Sequence, residues 1–253
     1  MEDICGKGDF FVPSRKTCWQ QRRMTVSNMI KRLVLLVLLV LAVSTTMQAQ
    51  TASEWRDSLA ELNRQIRQWP TSVDLRLKKA AVNIELGQWE YAIDEYSKVL
   101  EMDSRNLAAL YFRAYANSNL RHYDLSMRDY EAFLAVVPKH FEAQLGLAMV
   151  KRKMGRRNDA LDELNRLVQL FPDSTMAYAA RASYEAELQQ WEVALYDWDE
   201  AMKREPKNVD FLVSKVDILL RLKRYDESWA LLQDAMKRGV PRSALKEWID
   251  RCK

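Results

Sequence analysis

The side chains able to do chemistry are few and scattered along this 253-residue chain. A zinc centre needs three or four His, Cys or carboxylate ligands converging on one point. The chain offers two histidines, His122 and His140, and three cysteines. Cys5 and Cys18 precede a hydrophobic run and only Cys252 follows it, so beyond that run no intramolecular disulfide can form. The six glycines are scattered and form no phosphate-cradling loop. Asp197 and Asp199 are the residue type that acid–base catalysis uses in pairs. In a segment so rich in charge they read as solvated residues of a helix surface. The densest charge is Lys151, Arg152, Lys153, Arg156 and Arg157. It either steers an acidic partner or, more simply, sets cations against the negative end of a helix dipole. No catalytic residue, metal or cofactor is expected, and the chain does not read as an enzyme.

The charge balance narrows the partners. Residues 1–49 hold seven of the 39 Lys/Arg and three of the 35 Asp/Glu, which leaves the remainder neutral. A neutral body lacks the basic face that neutralises phosphates, so no nucleic-acid partner is expected. With 48% hydrophobic and 29% charged residues and few Gly and Pro, the composition is that of a helical globular protein.

The first 49 residues read as a targeting segment. Lys31 and Arg32 precede an unbroken apolar run, Leu33–Val43, and a polar stretch ends at Met47-Gln48-Ala49-Gln50. That order is a basic region, a hydrophobic region and a small residue at a cleavage point after Ala49. The 11-residue run is short of the ~20 residues that span a bilayer. We therefore expect a signal peptide over 29–49, behind a 1–28 extension, with Met24 and Met29 as alternative starts. The expected location is periplasmic or secreted. The alternative is a membrane anchor formed by an uncleaved 33–43 segment.

Positioning in the remainder comes from a repeat. Pro70, Pro138, Pro172 and Pro206 lie on one lattice of 34 residues, with Ser104 at the missing point. The lattice divides the chain into 73–106, 107–140, 141–174, 175–208 and 209–242. Position 8 of these units is Ala80, Ala114, Ala148, Ala182 and Val216, and position 20 is Ala92, Ser126, Ala160, Ala194 and Ser228. Position 17 is Trp89, Tyr123, Arg157, Trp191 and Tyr225. Each unit splits into two helices of about 13 residues. Small residues at 8 and 20 let the pair approach closely. Proline at 32 ends the second helix, and Ser72, Asn106, Ser174 and Asn208 cap the next first helix. Trp191, Trp198, Tyr225 and Trp229 read as packing between helices. Residues 50–72 supply a further amphipathic helix carrying Trp55, Leu59, Leu62 and Ile66. Residues 243–253 supply a short cap with Leu245, Trp248 and Ile249 on one face.

Leu86-Gly87-Gln88-Trp89-Glu90-Tyr91-Ala92-Ile93, followed by Tyr96 and Val99-Leu100, resembles the tetratricopeptide repeat family. The resemblance covers about 73–242. It departs where Arg157 replaces the usual aromatic and where position 15 is glycine only at Gly87 and Gly155. It implies an all-α fold: a solenoid of about five helix-turn-helix repeats in a right-handed superhelix, with an N-terminal half-repeat and a C-terminal cap.

The resemblance also implies a concave groove lined by positions 2, 5, 9, 12 and 13 of the first helices. There stand Leu77 and Ile84, then Tyr111, Tyr115 and Asn119, then Leu145, Met149 and Arg152, and then Ser183. Tyr111 and Tyr115 are one turn apart and are expected to enter the groove together, unless Tyr111 packs on a neighbour. The basic clamp that chaperone-binding relatives close on a C-terminal carboxylate is absent, since position 5 holds Leu77, Tyr111 and Leu145. A non-enzymatic interaction scaffold of the cell envelope, gripping a protein or peptide partner in the groove, is the expected function. A receptor for a glycan or lipid is the alternative. Groove aromatics flanked by amides favour the second, and a long groove mixing apolar and charged residues favours the first.

Overall fold

The computed structural model describes residues 52–252. The expected signal peptide, its cleavage point and the alternative 33–43 anchor lie outside the described residues. Helix α1 covers 52–68. Five hairpins follow: α2 (Val73–Glu85) with α3 (Trp89–Met102), α4 (Leu107–Asn119) with α5 (Tyr123–Val136), α6 (Phe141–Lys153) with α7 (Arg157–Leu170), α8 (Thr175–Glu187) with α9 (Trp191–Arg204), and α10 (Val209–Arg221) with α11 (Tyr225–Lys237). The chain divides by its contacts between Glu61 and Leu62, and the hairpins belong to the second unit. In that unit each helix packs on the next, and the first helices α2, α4 and α6 also meet one another. This is an α-solenoid, all-helical among the described residues.

Local chemistry sets each boundary. Ser72, Asn106, Ser174 and Asn208 accept hydrogen bonds from backbone N–H groups in the first turn of the following helix, which would otherwise lack partners. His140 does the same at α6, its Nδ1 accepting from the Ala143 N–H at 3.2 Å. Every first helix ends in the same turn. Position 15 takes a left-handed backbone at Gly87, Arg121, Gly155, Gln189 and Lys223. The N–H of the next residue then reaches back to the helix, as from Gln88 to Asn83 O at 2.8 Å.

The close approach of paired helices is visible at positions 8 and 20, where all ten side chains are fully buried. Serine fits there as well as alanine, because the Ser126 hydroxyl donates to Ala114 O at 2.7 Å. At the C-terminal end Leu245 and Ile249 pack into the cluster of Leu212, Val216, Leu220 and Leu232. The expected single helix there is two pieces. A 3-10 turn, Arg242–Leu245, starts from Pro241 and leads into α12 (Lys246–Arg251). Along α1, Leu62 is buried and Leu59 and Ile66 are half-buried, while Trp55 is exposed.

A charged ladder inside the array corrects the reading of Asp197. It is not a solvated surface residue but has no exposed surface at all. Arg181 of α8 grips it by two bonds, Nε to Oδ2 at 2.5 Å and Nη2 to Oδ1 at 2.8 Å. The third guanidinium edge donates to Asn165 of α7 at 3.0 Å. Arg113 repeats this geometry with Asp129 and with Ser97 of the preceding hairpin. Lys79 and Arg76 share the buried Glu95. Each clasp joins position 7 to position 23 within a hairpin. In the third hairpin position 7 is Leu147, and Lys151 at position 11 serves instead, bonding Glu163 at 2.7 Å. Asp199, the other half of the supposed acidic pair, is ion-paired with Lys215 of the next hairpin.

Candidate functional site

The first-helix face carries the residues expected to bind, and the structure sorts them. Tyr115 is exposed and meets the Trp89 ring edge-on at 5.8 Å between centroids. Asn119 is exposed and its amide donates to Tyr115 O at 2.9 Å. Tyr111 is more enclosed. It is half-buried against Phe133 at 5.6 Å and Tyr130 at 6.0 Å, and burial raises its phenol pKa. Tyr111 is thus partly enclosed by its own hairpin, while Tyr115 one turn on is exposed. Leu77 packs on the first hairpin core, and Leu145 and Met149 pack on the third, all half-buried. Arg152 is held between Glu187, with which it is ion-paired, and the Tyr184 ring at 5.6 Å. Ser183 is exposed.

The basic cluster beside Arg152 is largely neutralised. Lys151 is buried against Glu163, and Arg156 binds Asp159 at 2.6 Å.

Of the expected residues, Ser183 alone borders a well-formed opening on this face. A cavity of about 420 Å³ lies between α8 and α10. Trp191 and Trp198 of α9 form its floor, and Glu187, Asp217 and Arg221 stand round its rim. The reason it is open is local. Position 9 of one hairpin faces position 17 of the hairpin before it. Between hairpins one and two Tyr115 fills that space against Trp89. Between hairpins four and five the facing residue is Asp217, which is drawn away to Arg251 at 2.6 Å. Ser183, Ala186 and Ser214 add little volume, so the Trp191 indole stays accessible.

Trp191 packs against the core cluster as the sequence predicts while keeping one part open to the cavity, and Glu187, Asp217 and Arg221 are residues the sequence does not single out. The signal was present, since these three occupy positions 13, 9 and 13 of their units. What the site offers is non-covalent: an indole floor and a rim of donors and acceptors. Among the described residues no group of three His, Cys, Asp or Glu side chains is arranged to hold a metal. None of the described helices is long and apolar enough to cross a membrane.

The fold and face together define an α-solenoid of helix-turn-helix repeats. Two family models of the tetratricopeptide repeat match it, one over residues 142–174 and one over 179–244. Among solved structures, a tetratricopeptide repeat protein from Parabacteroides merdae is 20% identical. The match covers 79% of this chain and 78% of that one, with a TM-score of 0.56. YrrB, a repeat protein with an unusual peptide-binding site, is 19% identical over 70% of this chain and 91% of its own, with a TM-score of 0.56. PilF from Pseudomonas aeruginosa is 15% identical, over 74% and 85%, with a TM-score of 0.59. At these identities the likeness is one of fold. A curated relative, the small glutamine-rich tetratricopeptide repeat-containing protein 2 of Saccharomyces cerevisiae, is 27% identical over 126 residues, 48% of this chain. The match spans about a third of that relative's length, 35%. Proteins of this repeat family generally mediate protein–protein interactions and are generally non-enzymatic.

Proposed function

We propose that this protein is an interaction scaffold of the cell envelope, exported behind residues 29–49, and that it binds a protein or peptide segment along its first-helix face. The observation that carries the reading is the open, indole-floored cavity between α8 and α10, continuous in repeat position with exposed Tyr115 and Asn119. Concave sites with an accessible aromatic and mixed polar rim suit a polypeptide, whose amides need both donors and acceptors. The solved relative with a peptide-binding site shares this fold.

The experiment is recovery of partners from the envelope fraction by the wild-type chain and by the Trp191→Ala/Tyr115→Ala variant, with circular dichroism to confirm helicity. Loss of specific partners from a folded variant supports the reading, and unchanged recovery rejects the face as the site. N-terminal sequencing of exported protein tests the location; a chain intact through Met29 in the membrane fraction rejects cleavage.

One observation favours a glycan as a second reading. Exposed Tyr115 has Asn119 beside it, and Trp191 has Gln189 beside it at the cavity. Binding of the same chain to immobilised envelope glycans, lost with Trp191→Ala, would establish that reading instead.

A further inference from the structure

Charge at the cavity between α8 and α10 is unbalanced in a way that specifies an occupant. Three charged side chains border it: Glu187, Asp217 and Arg221. Glu187 is already ion-paired with Arg152. Asp217 is already ion-paired with Arg251, at 2.6 Å. Arg221 has no ion-pair partner among the described residues. Its guanidinium stands 5.9 Å from the Trp191 ring centre, and the residue is exposed. Of the three bordering charges, Arg221 alone is left without a counter-ion among the described residues.

The floor has a different preference. Trp191 is partly open and Trp198 is nearly buried, and together they present indole to a space of about 420 Å³. That volume takes one large side chain with a short piece of backbone, and indole favours a flat ring over an aliphatic chain. The hydroxyl of Ser183 and the amide of Gln189 remain for the backbone of the occupant.

We infer that this cavity receives an internal segment of a partner protein in which an aromatic residue is flanked by an acidic one. The aromatic ring lies on Trp191, and the carboxylate meets Arg221. This rests on the proposal that the first-helix face binds polypeptide. Arg221 suits the task because its planar guanidinium stacks on indole through its face and keeps its N–H edges free for a carboxylate. The cavity is open and lined from both α8 and α10, so no free terminus is required to enter it.

Four dye-labelled peptides test it, all acetylated and amidated except the last, in a Gly/Ser background. Their centres are Glu-Trp-Glu, Gln-Trp-Gln and Lys-Trp-Lys, and the fourth ends in Trp with a free carboxylate and has no internal acid. Binding to the full chain is read by fluorescence anisotropy at low and moderate salt. The Glu-Trp-Glu peptide is expected to bind at least about tenfold more tightly than Lys-Trp-Lys, with a gap that narrows as salt screens the charges. Arg221→Glu should invert the order, Arg221→Gln should abolish it, and Trp191→Ala should weaken all four. Circular dichroism verifies that each variant is folded. Equal affinities for the Glu and Lys peptides, or an order unchanged in Arg221→Glu, overturn the acidic preference. If such binding is still lost in Trp191→Ala, the polypeptide-binding reading survives that result. A free-carboxylate peptide that binds as tightly as Glu-Trp-Glu overturns the internal segment in favour of a chain terminus. No binding by any peptide overturns the inference, while partner recovery with the Trp191→Ala/Tyr115→Ala variant judges the wider reading separately.

Discussion

Arg181 and Asp197 face each other across the fourth hairpin, joined by two hydrogen bonds of 2.5 and 2.8 Å, and the carboxylate is sealed from solvent. Their bond ties α8 to α9, and the third edge of the same guanidinium ties α8 back to Asn165 of α7. One side chain therefore couples two hairpins. Removing one partner strands a buried charge. We expect Asp197→Ala to cost about 3–5 kcal/mol. The double change Arg181→Met/Asp197→Leu should cost far less than the two single truncations together, because no charge is left alone. Urea denaturation of the single and double variants measures this. Additive losses would mean that the two residues do not act as a unit.

Glu185, one turn along α8 from Arg181, is the ladder's misfit. Burial, added to by the nearby Asp197 carboxylate and offset by Arg181 at 3.8 Å, lifts its carboxyl to about pH 7. Its Oε2 is buried with no hydrogen-bond partner. Glu95 shows the opposite outcome. Burial would raise it too, but hydrogen bonds from Lys79 and Arg76 outweigh that and hold it below the usual value. For Glu185 the unfolded chain releases its proton near pH ~4.3, while the folded chain keeps it to about 7. Between these limits the folded state binds more protons, so stability falls as pH rises, and the loss is complete above about 7. Glu185→Gln should remove that slope and stabilise the chain above neutrality by up to about 3 kcal/mol. Melting temperatures from pH 5 to 8 test it, and parallel curves for the two proteins would refute it.

Gly146 is mid-helix in α6, where alanine normally gains about 1 kcal/mol. Here a Cβ would fall 2.6 Å from Cζ of Tyr130, a ring that is 3% exposed and cannot retreat. Gly146→Ala is expected to lose about 1–3 kcal/mol through overpacking. Adding Tyr130→Leu should recover part of that loss relative to Tyr130→Leu alone. A Gly146→Ala chain more stable than wild type would show that the helices have room to separate.

The five turns between paired helices share one left-handed position, yet three fill it with Arg121, Gln189 and Lys223, each at φ near +60°. Side chains there incur a penalty of about 1 kcal/mol that glycine avoids. Lys223→Gly should therefore stabilise by up to about 1 kcal/mol, and Gly87→Ala should destabilise by a similar amount. Thermal unfolding monitored at 222 nm (roughly the helix band) reads both. A lower melting temperature for Lys223→Gly would contradict the common turn.

The array itself is written in spacing. A period of 34 residues, small side chains at positions 8 and 20, and Ser or Asn ahead of each first helix were enough to place ten helices, because helix length, closest approach and capping are local demands on residue type. Charge was read less well. Position 7 and position 23 look like any solvated Lys, Arg, Asp or Glu, and only the folding back of one helix on the other brings Arg113 to Asp129 and Arg181 to Asp197. The third hairpin moves its clasp to Lys151, a compensation that no single position reveals. The candidate site is decided later still. Trp89 and Trp191 occupy the same repeat position, yet one is met by Tyr115 while the other borders a cavity beside Asp217. A cavity is volume that neighbours fail to fill, so it depends on the side chains of three helices at once, and tertiary packing alone settles it.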